Sequence, residues 1–96
     1  MDPAIPDITI SDVVVSTAGR DQGDWFYVIA EDPIYLFLAN GKDRTLDKPK
    51  RKKRKHVQWV LRPETRVAEK LRSGNKVLNG ELRRDLAFFA RENASE

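Results

Sequence analysis

The sequence predicts a small, mainly β domain: a five-stranded barrel followed by two short helices. The chain has 96 residues, the length of one domain with a single modest core. Short apolar runs rich in β-branched and aromatic residues fill residues 12–61 and are separated by tight turns. After Pro63 the spacing of the apolar residues becomes helical. We therefore divide the chain into a lead-in at 1–11, a barrel at 12–62 and a helical appendage at 63–96.

The chain opens with the lead-in and two strands. Pro3 and Pro6 disfavour both a helix and a sheet ladder, so the lead-in is expected to be flexible. The β-branched run "DVVVST" at 12–17 predicts the first strand. The nearly continuous apolar run "WFYVIA" at 25–30 predicts the second, and the loop "AGRDQGD" at 18–24 connects the two.

Three further strands complete the predicted barrel. The run "IYLFLA" at 34–39 is the third, and the Asn-Gly pair after it predicts a type I′ hairpin, because both central residues of that turn need positive φ. The hairpin would lead into a short fourth strand, "DRTL", at 43–46. A basic loop at 47–56 follows. The run "HVQWVL" at 56–61 is apolar at alternate positions and predicts the fifth strand.

Two helices are expected after the barrel. Pro63 suits the start of the first and Gly74 its end, while Asn79 is a candidate cap for the second. Neither helix has enough apolar surface to be stable alone, so both are expected to pack on the barrel or on each other. The apolar stripe of the second helix falls at Leu82, Leu86 and Phe89.

The charge of the chain is concentrated in one segment. The net charge is +3, from 18 Lys and Arg against 15 Asp and Glu. Seven of those 18 bases lie within residues 48–55, leaving 11 bases against 15 acids elsewhere, a net charge of −4. A slightly acidic body with one dense cationic segment indicates a docking site for a phosphate-rich partner.

No catalytic, metal or cofactor site is predicted. The chain has no cysteine, and the single histidine, His56, has neither a pocket nor a carboxylate signalled beside it. The stretch "GRDQG" lacks the Gly-Lys-Ser/Thr ending of a phosphate loop. No apolar run approaches the roughly 20 residues of a membrane span. We expect a cytoplasmic protein without enzymatic activity, cofactor, membrane partner or small-molecule substrate.

The glycine loop has two compatible interpretations. Gly19 and Gly23 supply positive φ to a connection between strands, and Asp21 stabilises the turn through a side-chain bond. Alternatively, the glycines let the backbone approach a ligand closely, and Arg20 points outward to clamp a phosphate or to read a base.

The basic segment also allows several interpretations. Its neighbouring cations repel one another at a Debye length of about 8 Å, so it should be extended or mobile until a polyanion neutralises it. Nucleic-acid contact is favoured. A nuclear-import signal, a solvated loop and a membrane-surface patch are the alternatives, although Pro49 and the even charge spacing argue against the amphipathic helix of a membrane patch.

The stretch "VVVSTAGRDQGDWFYVI" resembles a KOW motif, in which an apolar strand is followed by Gly, a basic residue, Asp, any residue, Gly and a second apolar strand. From residue 12 to residue 56 the chain is similar to the small bacterial KOW-domain RNA-binding proteins, which are related to the L-fourteen-e group of large-subunit ribosomal proteins. The later basic element with its His makes the resemblance more specific. The residues that carry it are Val14, Ser16, Ala18, Gly19, Arg20, Asp21, Gly23, Tyr35, Ala39, Gly41, Lys42, Pro49, Lys50, Lys52, Lys53, Lys55 and His56.

The resemblance implies a barrel like that of Src-homology-3 domains, RNA binding, and association with ribosomal RNA and with the ribosome or its proteins. Gln22 stands where the family often has a basic residue, which predicts a weaker grip on phosphate by the loop. The glycine loop and the basic loop are expected on the same side of the barrel, as two halves of one RNA surface. The expected RNA-binding residues are Ser16, Ala18, Gly19, Arg20, Asp21, Gly23, Lys42, Arg44, Lys48, Lys50, Arg51, Lys52, Lys53, Arg54, Lys55 and His56.

Two other functions stay open at this point. The stripe of Leu82, Leu86 and Phe89 could serve as a docking helix, which would make the protein a protein–protein interaction module. The same basic segment could also serve an architectural DNA-binding protein. Burial of the stripe against the barrel would weaken the first of these alternatives.

Overall fold

The computed structural model describes residues 7–94, and it confirms the predicted fold class. Five antiparallel strands form one barrel-like sheet in the order β4-β3-β2-β1-β5, and two helices follow. A single 3-10 turn at Arg54–His56 separates the last two strands. The strands are β1 (Val13–Ser16), β2 (Trp25–Glu31), β3 (Tyr35–Ala39), β4 (Lys50–Lys53) and β5 (Val57–Leu61).

The two faces of the sheet bury separate apolar clusters, because the central strands are apolar at almost every position. On the inner face, the buried cluster continues to the partly buried Val57 and Trp59 of β5. The helices cover the part of the outer face formed by Val13, Tyr27 and Ala39. The buried inner residues are Ile8, Val14, Phe26, Val28, Leu36 and Leu38. The buried outer residues are Val13, Tyr27, Ala39, Val67, Ala68, Leu82, Leu86 and Phe89.

The predicted flexible lead-in is wrong over its described part. Residues 1–6 lie outside the described residues, but Ile8 is buried in the inner cluster. The fully buried carboxylate of Asp12 accepts a hydrogen bond from the Thr9 amide at 3.0 Å and two from the guanidinium of Arg62, at 2.8 and 3.0 Å. These bonds fix the segment that precedes β1.

The predicted fourth strand at 43–46 and the predicted basic loop at 47–56 are both wrong. The fourth strand is Lys50–Lys53, inside the basic segment, and it pairs with β3 so that Leu36 faces Lys52 and Phe37 faces Arg51. The strand lies at one edge of the sheet. The basic segment is therefore not only a link between two strands, because its central residues, Lys50–Lys53, are themselves a strand.

The segment after β3 turns back on itself instead of forming a hairpin strand. The side-chain oxygen of Asn40 accepts hydrogen bonds from the amides of Lys42 and Arg44, at 2.9 and 3.0 Å. The carbonyl of Arg44 in turn accepts from the amides of Asn40 and Gly41. Asn40 and Gly41 do lie in a turn, but the predicted type I′ turn is wrong: Gly41 has positive φ, 77°, and Asn40 does not, and the local side-chain bonds close the turn before a ladder can start.

The helices fix the outer face of the sheet. The first, α1 (Arg66–Ser73), is capped by Thr65, so its first residue lies three residues after the predicted Pro63; it ends at Gly74 as predicted, with φ of 77°. The second, α2 (Asn79–Ala94), buries its apolar stripe against the sheet. No helix within residues 7–94 is long and apolar enough to cross a membrane.

The buried hydroxyl of Tyr27 ties both helices to the sheet. It donates to Asp85 of α2 at 2.7 Å and lies 3.2 Å from the Thr65 hydroxyl at the start of α1. The Tyr27 ring also meets Phe89 edge to face, with 6.3 Å between centroids. Burial raises the pKa of the Tyr27 hydroxyl, so it stays protonated as a donor.

Candidate nucleic-acid interface

Asp21 joins the glycine loop to β4, the basic strand. Its Oδ1 accepts hydrogen bonds from Lys52 Nζ at 2.7 Å and from the Ser16 hydroxyl at 2.8 Å. Lys50 Nζ lies 3.3 Å from Oδ2, which is close enough for an ion pair but not aligned as a hydrogen bond. Lys52 also donates to the carbonyl of Ala18 at 2.7 Å. The glycine loop and the basic segment, which the sequence predicts to lie on one side of the barrel, are therefore in direct contact.

The ionisation of Asp21 reflects these partners. Burial opposes its negative charge, but the hydrogen bonds from Lys52 and Ser16, with Lys50 beside them, outweigh that effect and lower the pKa of the Asp21 carboxyl from 3.8 to about 2. The carboxylate therefore stays charged at neutral pH, and it neutralises cations of the basic strand from within the protein.

The basic strand alternates between neutralised and free cations, because successive side chains of a strand point to opposite faces. Lys50 and Lys52 pair with Leu38 and Leu36, so they share the inner face and reach Asp21. The Lys52 side chain is only 8% exposed. This side chain, predicted to contact RNA, is instead a buried structural cation.

Arg54 is also held within the protein. Its guanidinium donates to Glu31 at 3.0 Å, to the carbonyl of Ile8 at 2.8 Å and to the carbonyl of Asp32 at 3.0 Å. Hydrogen bonds from the Thr9 hydroxyl and the Ile10 amide, together with Arg54, outweigh burial and lower the pKa of Glu31. Arg54 therefore joins the segment before β1 to the end of the basic strand.

The outer face of the basic strand carries exposed cations beside aromatic rings. Arg51 and Lys53 face Phe37 and Tyr35 in the sheet register and are exposed. The Arg51 guanidinium lies 4.4 Å from the centroid of the Tyr35 ring, within cation–π range. Among residues 7–93, no carboxylate forms an ion pair with Arg51, Lys53 or Lys55. This surface is the most open cationic part of the basic segment.

The glycine loop has the backbone and side-chain bonds of the first interpretation made from the sequence, a stabilised turn between strands. Gly19 and Gly23 have φ of 88° and 94°, a backbone conformation that residues with a side chain rarely adopt. The buried Ser16 hydroxyl donates a hydrogen bond to the Ala18 carbonyl. Ser16, Ala18 and Asp21 are thus occupied in holding the loop. Arg20 alone among the loop's polar side chains is an exposed cation.

Arg20 borders a small cleft formed by three segments of the chain. The cleft has a volume of about 290 Å³ and brings Arg20 together with Arg44 and Lys50. Acidic side chains also line it, so its charge is mixed and it is less cationic than the outer face of β4. Its lining residues are Arg20, Asp21, Asp24, Phe26, Asp43, Arg44 and Lys50.

A second cleft is lined by cations, and both clefts include residues of the turn at 40–46. It has a volume of about 550 Å³ and places Lys42 beside Arg83 and Arg84 of α2. Arg83 donates to the carbonyl of Gly41 at 2.8 Å, which holds the turn against the helix. Arg83 and Arg84 are not among the cations that the sequence predicted for the surface. Their adjacency in "ELRRDL" was a signal, but only the packing of the turn on α2 brings them to Lys42.

The remaining predicted contacts flank the basic strand. Lys48 is exposed and its amide donates to the carbonyl of Thr45 at 3.0 Å. Lys55 is exposed in the 3-10 turn, whereas His56 is partly buried and its carbonyl accepts from the Thr17 amide at 2.9 Å. Within the described part of the chain, no group of three or more His, Cys, Asp or Glu side chains could hold a metal ion.

No protein-family model matches this chain, and no curated protein matches it either.

Proposed function

We propose that this protein is a non-catalytic, cytoplasmic RNA-binding module of the KOW type, and that ribosomal RNA is its partner. The observation that carries the proposal is the alternation along β4. Lys50 and Lys52 are neutralised by Asp21, while Arg51 and Lys53 point outward without a carboxylate partner among residues 7–93. An edge strand that keeps its outward cations unpaired and exposed presents a row of charge suited to a phosphate backbone.

The glycine loop supplies the second part of the surface. Arg20 is exposed at the loop's tip, and the loop is anchored to the basic strand through Asp21 and Lys52. Arg20 shares a cleft with Lys50 at the start of β4, and Lys55 follows the end of β4, so the proposed RNA runs along the strand between them. The phosphate contacts provide affinity, and the loop provides any preference for RNA shape or sequence.

The protein-interaction alternative loses its main argument. Leu82, Leu86 and Phe89 are buried against the sheet at 0%, 7% and 7% exposure, so they belong to the core and not to a free docking face. The choice of ribosomal RNA among RNAs is supported by the sequence resemblance, since the cationic surface alone favours RNA in general.

A salt titration of RNA binding tests the proposal. If Arg51, Lys53 and Lys55 each neutralise one phosphate of a single strand, the logarithm of the binding constant should fall against log salt with a slope of about −2. The double variant Arg51→Gln/Lys53→Gln should reduce the slope to about −0.7 and weaken binding to every RNA. The matched control, Arg66→Gln/Lys76→Gln, removes the same charge from α1 and the linker after it, and should leave the slope unchanged.

Three outcomes would overturn parts of the proposal. An absence of binding at about 50 mM salt, where electrostatic binding is strong, would refute RNA binding altogether. Equal slopes for the two double variants would refute the placement on β4. Tighter binding to duplex DNA than to RNA at equal salt would favour the architectural DNA-binding alternative. Crosslinking in cells followed by sequencing tests the choice of RNA, and reads dispersed over messenger RNAs would contradict ribosomal RNA.

A further inference from the structure

The outer face of β3 and β4 contains an aromatic and cationic surface that phosphate binding does not explain. Tyr35 and Phe37 are partly exposed, and neither is packed against the two buried clusters. In the sheet register they face Lys53 and Arg51, so all four side chains share one face. The helices cover this face only farther along β3, at Ala39.

Arg51 is ordered over the ring of Tyr35 while its other side remains exposed. The guanidinium carbon lies 4.4 Å from the ring centroid. Because stacking on the ring already restricts the Arg51 side chain, Arg51 loses less rotamer freedom when a ligand binds. The planar guanidinium of arginine can itself stack on a nucleic-acid base, which the ammonium of lysine cannot do.

We infer that Arg51 held over Tyr35 forms a shelf on which an unpaired RNA base stacks, with Lys53 contacting the adjacent phosphate, so that the ligand is single-stranded RNA. This inference rests on the proposed RNA-binding function and specifies its substrate class. Bases in an RNA duplex are stacked on one another and cannot offer a face to the shelf, whereas bases in loops and single strands can.

The acidic residue Asp32 does not block the shelf. Asp32 interacts electrostatically with Arg51, but its carboxylate accepts hydrogen bonds from the amides of Ile34 and Tyr35, at 2.8 and 2.7 Å. The carboxylate is thereby fixed in the turn between β2 and β3 and does not form an ion pair with Arg51. The shelf is consequently open on the side that faces solvent.

The experiment compares a short unstructured RNA with an RNA duplex of equal length, by fluorescence anisotropy at a fixed salt concentration. Arg51→Lys retains the charge but loses the planar group. It should weaken single-strand binding about ten-fold, the order expected for one stacked base, and leave the salt slope and duplex binding unchanged. Tyr35→Leu should have a similar effect, and Tyr35→Phe, which keeps the ring, should not. Lys53→Gln should flatten the salt slope for both RNAs.

The outcomes separate this inference from the proposed function. Binding of both RNAs that is unaffected by Arg51→Lys and Tyr35→Leu would overturn the shelf and leave the RNA-binding proposal standing. Equal losses for single strand and duplex in Arg51→Lys would overturn it as well. No binding of either RNA by the unaltered protein would overturn the proposed function and the shelf with it. Because Arg51 is exposed, its variants test the shelf even if Tyr35→Leu fails to fold.

Discussion

The ammonium of Lys52 lies 2.7 Å from the Oδ1 of Asp21, and its side chain is only 8% exposed. This contact joins the glycine loop to the basic segment, the two parts of the sequence with the most distinctive composition. It also explains how seven cations in eight residues can include a strand. The inward cations meet an internal carboxylate, and the outward cations meet solvent.

Removing the carboxylate at the centre of this contact should destabilise the protein. In Asp21→Asn, Lys52 remains buried without its counter-ion, so we expect a loss of roughly 2–4 kcal/mol in the free energy of unfolding. Urea denaturation measures it. The control Asp24→Asn alters an exposed carboxylate of the same loop and should change stability by less than about 0.5 kcal/mol. Equal small effects of the two substitutions would show that the pair contributes little.

The same carboxylate should give part of the stability a defined pH dependence. The folded-state pKa of Asp21, about 2, lies below its ordinary value of 3.8. Stability from its ionisation is therefore fully present above pH 3.8 and is lost as the pH falls towards 2. The stability difference between the unaltered protein and Asp21→Asn should be constant at neutral pH and shrink over that range. A difference that grows on acidification would contradict the assignment.

Gly41 should be far less tolerant of a side chain than another glycine with the same backbone conformation. Gly41 and Gly74 both have φ of 77°, but a Cβ on Gly41 would lie 2.1 Å from the backbone oxygen of Asn79, whereas a Cβ on Gly74 would have no atom of residues 7–94 within 4 Å apart from those of its chain neighbours. We expect Gly74→Ala to cost about 1–2 kcal/mol, from backbone strain alone. Gly41→Ala should cost at least about 3 kcal/mol, because the turn must also separate from α2. Similar unfolding midpoints for the two variants would refute this packing.

The two tyrosines of the sheet should respond differently to loss of their hydroxyl groups. Tyr27→Phe removes the buried donor to Asp85, and should cost about 1–3 kcal/mol because a partly buried carboxylate oxygen loses one of its two hydroxyl donors and keeps only Thr65. Tyr35→Phe is the matched control, since within residues 7–94 the Tyr35 hydroxyl forms no hydrogen bond. Thermal unfolding of both variants provides the comparison. A Tyr27→Phe protein as stable as Tyr35→Phe would show that the hydroxyl does not hold the helices.

The sequence predicted the fold class and four of the five strands because their apolar runs are unambiguous. The second and third strands are "WFYVIA" and "IYLFLA", and they contain the buried Phe26, Val28, Leu36 and Leu38. Because both runs are apolar at nearly every position, they indicate buried strands whatever the register of the sheet. The stop at Gly74 and the apolar stripe of α2 were predictable for the same reason, since both depend on local spacing.

The fourth strand could not be predicted from local sequence. Residues 43–46 include Thr and Leu, and the segment at 50–53 is entirely cationic, so strand propensity alone favours the wrong choice. The decision depends on side-chain contacts. Asn40 closes a turn over residues 40–44, and Asp21, more than 25 residues away in sequence, neutralises Lys50 and Lys52. The division of the basic segment into internal and external cations follows from the same contacts.

The most direct test of the RNA-binding surface is a map of backbone amide chemical shifts recorded as a single-stranded RNA is added. Shifts should be concentrated in β4 and the 3-10 turn after it, with smaller changes around Arg20, and should be lost in Arg51→Gln/Lys53→Gln. The amides of α1 should not move. Shifts confined to the helices, or no shifts at RNA concentrations that saturate binding, would contradict the central claim that the outward face of the basic strand binds RNA.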